Sequence, residues 1–276
     1  MKKRKLILII ALALILIFGL LAADSACRIV VSEHVIESEN LPESFEGFTI
    51  AQLSDVHGRC FGKDNARLAE KVRETKPDII VITGDLADED TDLNVIDSLL
   101  EKLVAIADVY YISGNHEWGF GRIGELKALF EKHGVSYLAN EYILLERGGE
   151  HISLCGVEDP NARMNMPTPD ELVESVNEAE GEGYRILLGH RNYWVEKYPA
   201  LDVDLILCGH AHGGIVRLPG LGGVFGTGFE FFPENTEGAI ETRRYTMIVS
   251  RGIGNSAPIP RLFNNPEIVA VTLERK

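Results

Sequence analysis

The chain has 276 residues, enough for one large domain or two small ones, and at 45% hydrophobic it can bury a sizeable core. A net charge of −15 argues against a general nucleic-acid binder, because neutralising phosphates takes a basic surface. The four cysteines, Cys27, Cys60, Cys155 and Cys208, form no Cys-x-x-Cys pair, which gives no sign of a thiolate zinc site.

Lys2-Lys3-Arg4-Lys5 opens the chain, and removing those four charges leaves −19 on the remainder. Leu6 to Ala23 is a run of eighteen uncharged, mostly aliphatic residues. That length is the lower limit for spanning a bilayer and long for a signal-peptide core. The basic cluster ahead of it favours a cytoplasmic N-terminus, with the rest of the chain outside. Ala23-Asp24-Ser25 is a mediocre cleavage site, and Asp24 stands where a lipoprotein signal ahead of Cys27 would have an aliphatic residue. The expectation is an uncleaved anchor over residues 1–27, ahead of a cleaved signal and then a lipoprotein, followed by one domain over 28–276 with its core from about residue 45.

From Arg28 to Phe45 the pattern alternates loosely, as for a first strand and a connection. A recurring unit follows, in which a short apolar run ends in a polar cluster and often leads into a helical stretch. Phe48 to Leu53 ends in Ser54-Asp55-Val56-His57-Gly58, with a helix expected over Asn65 to Thr75. Asp78 to Ile82 ends in Thr83-Gly84-Asp85, and Ile96, Leu99, Leu100 and Leu103 form the apolar stripe of a helix over Asp92 to Ile106. Val109 to Ile112 ends in Ser113-Gly114-Asn115-His116-Glu117, and a helix over Ile123 to Lys132 is closed by Gly134. This βαβαβ rhythm implies parallel strands with right-handed crossovers.

The rhythm then changes. Tyr142 to Glu146 and Ile152 to Val157 flank Gly148-Gly149 as a hairpin. Thr168-Pro169-Asp170-Glu171 starts a helix running to about Glu180. Tyr184 to Leu188 ends in Gly189-His190, and Val203 to Cys208 ends in Gly209-His210-Ala211-His212-Gly213-Gly214. Cys155 and Cys208 fall in these apolar runs and read as buried thiols. Leu218 to Gly228 reads as a glycine-rich loop or loose hairpin, and Tyr245 to Ser250 and Ile268 to Leu273 as closing strands. No linker divides residues 45–276.

Five strand ends thus carry Asp55 and His57, Asp85, Asn115 and His116, His190, then His210 and His212. Parallel strands of one sheet present such ends along one edge, where open α/β sheets place ligands. Mixed nitrogen and oxygen donors suit Mn²⁺, Fe, Zn²⁺ or Co²⁺. Seven donors exceed one tetrahedral ion and suit two ions sharing a carboxylate, the clamp used in phosphoryl displacement. His34, His133 and His151 receive no role.

Asp55-x-His57, Gly84-Asp85, Gly114-Asn115-His116-Glu117, Gly189-His190 and Gly209-His210-x-His212 resemble, in order, the five signatures of the calcineurin-like metallophosphoesterases. The resemblance covers roughly residues 45–276. With the N-terminal anchor, Arg217-Leu218-Pro219 and Asn264-Asn265-Pro266-Glu267-Ile268, it narrows to the bacterial membrane-associated phosphodiesterases of the YkuE and YaeI type. The resemblance implies a four-layer α/β/β/α sandwich of two mixed sheets, preceded by one transmembrane helix. It implies that Asp55, His57 and His212 hold one metal, that Asn115, His190 and His210 hold the other, and that Asp85 bridges them. His116 becomes the catalytic acid beside the substrate. Two divalent ions are expected, manganese first, then iron, zinc or cobalt. Arg59, directly after the first motif, is a candidate phosphate contact. Asn192-Tyr193-Trp194 departs from the subgroup's His-x-Pro-Asp, which puts the loop after His190 and its substrate contacts in doubt. The function implied is a phosphoester hydrolase, a phosphodiesterase first, acting on a membrane-associated or cell-envelope phosphate ester that could be lipid-linked. Alternatives are a UDP-diacylglucosamine pyrophosphohydrolase-like activity and a non-catalytic metal-binding scaffold. The partners expected are the phosphate-ester substrate and the membrane, with no nucleic acid.

Overall fold

Apolar runs buried on both faces become the inner strands of covered sheets. In the computed structural model, which describes residues 2–162 and 166–276, the chain begins with α1 (Lys2–Cys27) and β1 (Val30–Ser38). It continues through β2 (Phe48–Leu53), α2 (Ala66–Glu74), β3 (Ile79–Thr83), α3 (Leu93–Val104), β4 (Asp108–Ile112), α4 (Asn115–Gly119), α5 (Ile123–His133) and β5 (Ser136–Tyr137). Next come β6 (Glu141–Arg147), β7 (Glu150–Gly156), α6 (Pro169–Glu180), β8 (Arg185–Leu188), α7 (Trp194–Lys197) and β9 (Leu205–Cys208). The chain closes with β10 (Val216–Leu218), β11 (Gly222–Phe225), β12 (Gly238–Glu241), β13 (Thr246–Val249) and β14 (Glu267–Arg275).

One mixed sheet has the order β1-β14-β2-β3-β4-β5 and the other β12-β13-β9-β8-β7-β6. In the first, β2 to β5 run parallel and β14 pairs antiparallel with β2. In the second, β7, β8, β9 and β13 run parallel between antiparallel edges. Strand side chains alternate between faces. Ile50, Val81 and Ile112 meet Leu154, Ile186, Leu205 and Leu207 between the sheets. Leu53, Ile80 and Ile82 point the other way, onto Leu68, Leu99 and Phe130 of α2, α3 and α5. Leu187, Ile206 and Met247 face Leu172 and Val176 of α6 and Trp194 of α7. The result is the four-layer α/β/β/α sandwich, and each fully buried aliphatic side chain contributes about 1.5–3 kcal/mol.

The helix expectations hold to within a residue or two at most ends. Gly134 closes α5 in the left-handed region (φ 74°, ψ 30°), donating to the Phe130 carbonyl. Ahead of Pro169, the Thr168 N–H donates to Glu171 Oε2 at 2.8 Å. The glycine-rich stretch forms the small antiparallel pair β10–β11. Strand β12 and helix α4 carry no periodic signal and were not anticipated.

Helix α1 exceeds the eighteen-residue apolar run at both ends. By length and composition it can cross a membrane, with a mean hydropathy of 3.3 and none of its apolar window buried. Its C-terminal end is tied to the body. Asn265 Nδ2 donates to the Asp24 carbonyl at 2.9 Å, and Arg28 bridges Asp24 to Asn265 Oδ1 at 3.1 Å.

Candidate metal centre

Three of the motif-bearing ends belong to one sheet (β2, β3, β4) and two to the other (β8, β9). The donors therefore gather where two sheets meet rather than along one edge of a single sheet. Side-chain bonds pin this junction. Gln52 Nε2 donates to the Cys208 carbonyl at 2.8 Å, and His190 Nδ1 lies 2.9 Å from the Thr83 carbonyl.

Five of the seven donor residues have positive φ: Asp55 (50°), His57 (48°), Asp85 (52°), His210 (68°) and His212 (49°). For residues other than glycine this conformation costs of order 1–3 kcal/mol each and persists only where surrounding structure imposes it. Here the Asp55 N–H donates to the Gly84 carbonyl at 3.0 Å and the His57 N–H to the Asp85 carbonyl at 2.9 Å. Two motif glycines admit the close approach. A Cβ on Gly114 would lie 2.2 Å from Asp85 Oδ1, and one on Gly209 would lie 1.9 Å from Ser54 Oγ.

The seven residues converge into two groups. Asp55, His57, Asp85 and His212 present ligand atoms within 4.8 Å of one another, and so do Asp85, His190 and His210. Asn115 Oδ1 joins the second group, 3.1 Å from His190 Nε2. Asp85 belongs to both, since its Oδ2 lies 3.8 Å from His57 Nε2 and 3.2 Å from His190 Nε2. His212 Nε2 lies 3.1 Å from His57 Nε2 and 3.4 Å from Asp55 Oδ1.

These residues fit cations. With Nδ1 of His190 donating to Thr83, its Nε2 presents a lone pair toward the Asp85 carboxylate. With Nδ1 of His57 donating to Asp88 Oδ1 at 2.7 Å, its Nε2 does the same toward His212. Lone pairs and buried carboxylates facing one another are stable only around positive charge. The titration tendencies agree. Burial pushes the His190 imidazole down, but Asp85 and Asp55 overcome this and push it up to about 10, so a proton on Nε2 supplies the positive charge these carboxylates demand wherever no cation does. Burial pushes the Asp85 carboxyl up, and His190 and His57 hold it well below the usual carboxylate range. Burial, aided by neighbouring imidazoles, pushes His210 and His212 well down, so both are neutral, the form that binds metal.

His116 stands at the rim of the cluster, its side chain 21% exposed, with Nε2 3.8 Å from Asp85 Oδ2 and Nδ1 2.7 Å from Asp88 Oδ1. Burial pulls its pKa down, and Asp88 and Asp85 together more than offset this and raise it. Arg59 is not brought to the cluster. Its guanidinium turns away to the α1 end, donating to the Ala26 carbonyl at 3.1 Å and lying over the Phe61 ring.

Three contributors were missed in the sequence. Asp88 holds both His57 and His116; its only signal was a carboxylate three residues after Asp85. Glu117, fully buried, accepts backbone N–H bonds from Asp85, Leu86, Ala87 and Gly114. Arg191, in the loop that departs from the subgroup pattern, is clamped by buried Asp159, with Nε 2.5 Å from Oδ2 and Nη2 3.0 Å from Oδ1. Its Nη1 lies 3.0 Å from His210 Nε2, so the guanidinium that reaches the cluster is this one.

A two-sheet sandwich with two carboxylate–imidazole groups sharing one aspartate defines a metal-dependent phosphoester hydrolase. Residues 48–214 match the family model for calcineurin-like phosphoesterases, and the chain belongs to that family, which uses a dinuclear divalent metal site. It is 31% identical over 249 residues to the uncharacterized metallophosphoesterase YkuE of Bacillus subtilis, covering 88% of this chain and 85% of that one. An uncharacterized metallophosphoesterase of Aquifex aeolicus is 30% identical over 252 residues, covering 89% and 92%. A transmembrane protein with metallophosphoesterase domain from Danio rerio is 30% identical over 222 residues, covering 77% of this chain and 50% of that protein.

Proposed function

We propose that the chain is a phosphodiesterase whose seven donors hold two divalent ions, manganese first. Asp55, His57 and His212 hold one ion, Asn115, His190 and His210 hold the other, and Asp85 is shared. The observation that carries this reading is Asp85 Oδ2, which lies 3.8 Å from His57 Nε2 and 3.2 Å from His190 Nε2. When bound, such an ion pair supplies Lewis acidity, offsetting charge on the phosphate oxygens and making water nucleophilic near neutral pH.

The chain's own residues do the rest. Arg191, fixed by Asp159, offers Nη1 to a phosphate oxygen beside His210. Asp88 holds the imidazole of His116 at Nδ1 and favours its protonated form, leaving Nε2 to carry the transferable proton. Water oxygen bonds to phosphorus and gives up a proton to solvent, the bond to the leaving oxygen breaks, and that oxygen takes the proton from His116 Nε2, which solvent then restores. Neither half of the reaction calls for a covalent enzyme intermediate.

The membrane reading rests on α1, on the basic residues of its first turn and on the transmembrane relative. We propose residues 1–27 as an uncleaved anchor and 28–276 as the catalytic domain, with the N-terminus cytoplasmic and the domain outside. A membrane-associated or cell-envelope phosphate ester is then the accessible substrate.

The test is hydrolysis of bis(p-nitrophenyl) phosphate and p-nitrophenyl phosphate by the detergent-solubilised full chain, stripped with chelator and reloaded with Mn²⁺. Expected are metal-restored turnover, preference for the diester, and loss in both His116→Ala and Asp85→Asn. Undiminished turnover in His116→Ala would overturn its acid role, and preference for the monoester would overturn the diesterase reading. A reporter fused to the C-terminus and found in the cytoplasm would overturn the orientation.

A further inference from the structure

The segment from Leu218 to Pro233 has an unusual surface for a chain this acidic. Leu221 is 67% exposed, Phe229 63%, Phe231 72% and Phe232 62%. Phe263, 43% exposed, stands on the neighbouring segment, where Leu262 pairs with β10. Contiguous exposed apolar side chains mark an interaction surface. The backbone strengthens the case, for Phe229 (φ 61°), Phe232 (φ 55°) and Phe263 (φ 52°) all lie in the left-handed region. That conformation is a genuine outlier for bulky side chains. The chain therefore holds three strained phenylalanines whose rings gain little burial in return. The loop is nonetheless ordered by its own bonds. The Gly226 N–H donates to the Glu230 carbonyl at 2.9 Å, the Phe232 N–H donates to the Val224 carbonyl at 3.0 Å, and the Phe225 ring meets Phe229 and Phe231 edge-on.

Three consecutive residues connect this surface to the donor loop and to the end of α1. Phe263 is exposed. Asn264 Nδ2 donates to the His212 carbonyl at 2.7 Å and the Ile215 carbonyl at 3.0 Å, tying the donor loop to the start of the hairpin. Asn265 Nδ2 donates to the carbonyl of Asp24 at the end of α1. Two residues span at most about 7 Å, so Phe263 lies close to the point where the anchor leaves the body. The inner side of the same loop walls a cavity of about 290 Å³, where Thr227, Glu230 and Pro233 face His210 and Asn192.

We infer that the phenylalanine loop seats in the lipid interface around the anchor, presenting the metal cluster to phosphate esters carried by membrane amphiphiles. This rests on the membrane-anchor reading of α1. The occupant is a neutral lipid interface. Residues 218–233 contain no lysine or arginine and one glutamate, so the loop itself offers no charge that anionic lipid would attract. Aromatic side chains at headgroup depth are the expected form of such contact.

The test reconstitutes the full chain into phosphatidylcholine vesicles containing acyl-brominated phosphatidylcholine and reads tryptophan emission against the same vesicles without bromine. Phe231→Trp reports the loop, Leu14→Trp reports the anchor, and Val35→Trp, on β1, reports the body; the parent supplies the background of Trp118 and Trp194. Bromine should quench Leu14→Trp and Phe231→Trp and shift Phe231→Trp to shorter wavelength, while Val35→Trp matches the parent. Adding phosphatidylglycerol should not increase the quenching. Quenched Leu14→Trp with Phe231→Trp no more quenched than Val35→Trp would overturn the inference and leave the anchor standing. If Phe231→Trp then proves shielded in a sedimenting dimer, the surface belongs to a second copy. Unquenched Leu14→Trp would remove the anchor, and the inference with it.

Discussion

Glu117 offers the sharpest test of how the site is held. Its carboxyl is fully buried and receives four backbone N–H groups, those of Asp85 (3.1 Å) and Gly114 (2.8 Å) on Oε2 and those of Ala87 (3.2 Å) and Leu86 on Oε1. Burial and the Asp85 charge push this carboxyl up, and the backbone donors work against them. Glu117→Gln keeps the shape but sets an amide NH₂ against two of the four donors. Two charge-assisted bonds at about 1.5–3 kcal/mol each are lost, and relief of repulsion with Asp85 returns part, for a net loss of roughly 2–4 kcal/mol. For a protein of this size that is a Tm drop of roughly 4–15 °C. Because the bonds fix the Asp85 turn, ion binding should weaken with stability. The assay is thermal unfolding of the detergent-solubilised full chain by intrinsic tryptophan fluorescence, with metal content measured on the same samples. A Tm within about 1 °C of the parent together with unchanged metal content would refute the reasoning.

Four further outcomes are expected. Adding divalent ion at about 100 times its dissociation constant should stabilise the stripped chain by about 2.7 kcal/mol, seen as a raised Tm, and Asp85→Asn should abolish most of that gain. Asp88→Asn removes the carboxylate that orients His57, so the affinity of one ion, measured by competition with a chelating dye, should fall about 10–100-fold. Gly209→Ala drives a Cβ to 1.9 Å from Ser54 Oγ and 2.4 Å from Asp55 Oδ2; the forced shift should lower kcat on bis(p-nitrophenyl) phosphate about 10²-fold. Ellman's reagent should titrate Cys27 and Cys60 in the native chain and all four thiols only after denaturation, since Cys155 and Cys208 are buried and burial pushes the Cys155 thiol up to about 12.

What the sequence disclosed and what it withheld divide by range. Each motif is a local event, a short strand ended by glycine and a polar residue, and the seven residues that the structure brings together are all legible that way. The helical and hairpin bounds were legible for the same reason: Gly134, Thr168-Pro169 and Gly148-Gly149 act on their own neighbours. Sheet membership is not local. Strands β3 and β8 carry similar apolar runs, and nothing in those runs says that β3 joins one sheet and β8 the other. The five ends therefore read as one edge, and the two-sheet architecture came from family resemblance.

Arginine placement fails in the same way. Arg59 and Arg191 both stand within two residues of a donor histidine, and the sequence offers no ground for choosing between them. The choice is made by distant partners, the Ala26 carbonyl drawing Arg59 away and the Asp159 carboxylate holding Arg191 in place. Phe229, Phe231 and Phe232 reverse the usual reading of apolar residues, since patterning assigns phenylalanine to a core. These rings stay exposed because the bonds of Gly226 and Phe232 close the loop before it can fold back. Asp55 and His57 are similarly held against their own preference, at positive φ, by donating their N–H groups to the Gly84 and Asp85 carbonyls. Strain at both places is sustained by contacts from elsewhere in the chain, and both places meet at Asn264, which bonds the His212 and Ile215 carbonyls at once.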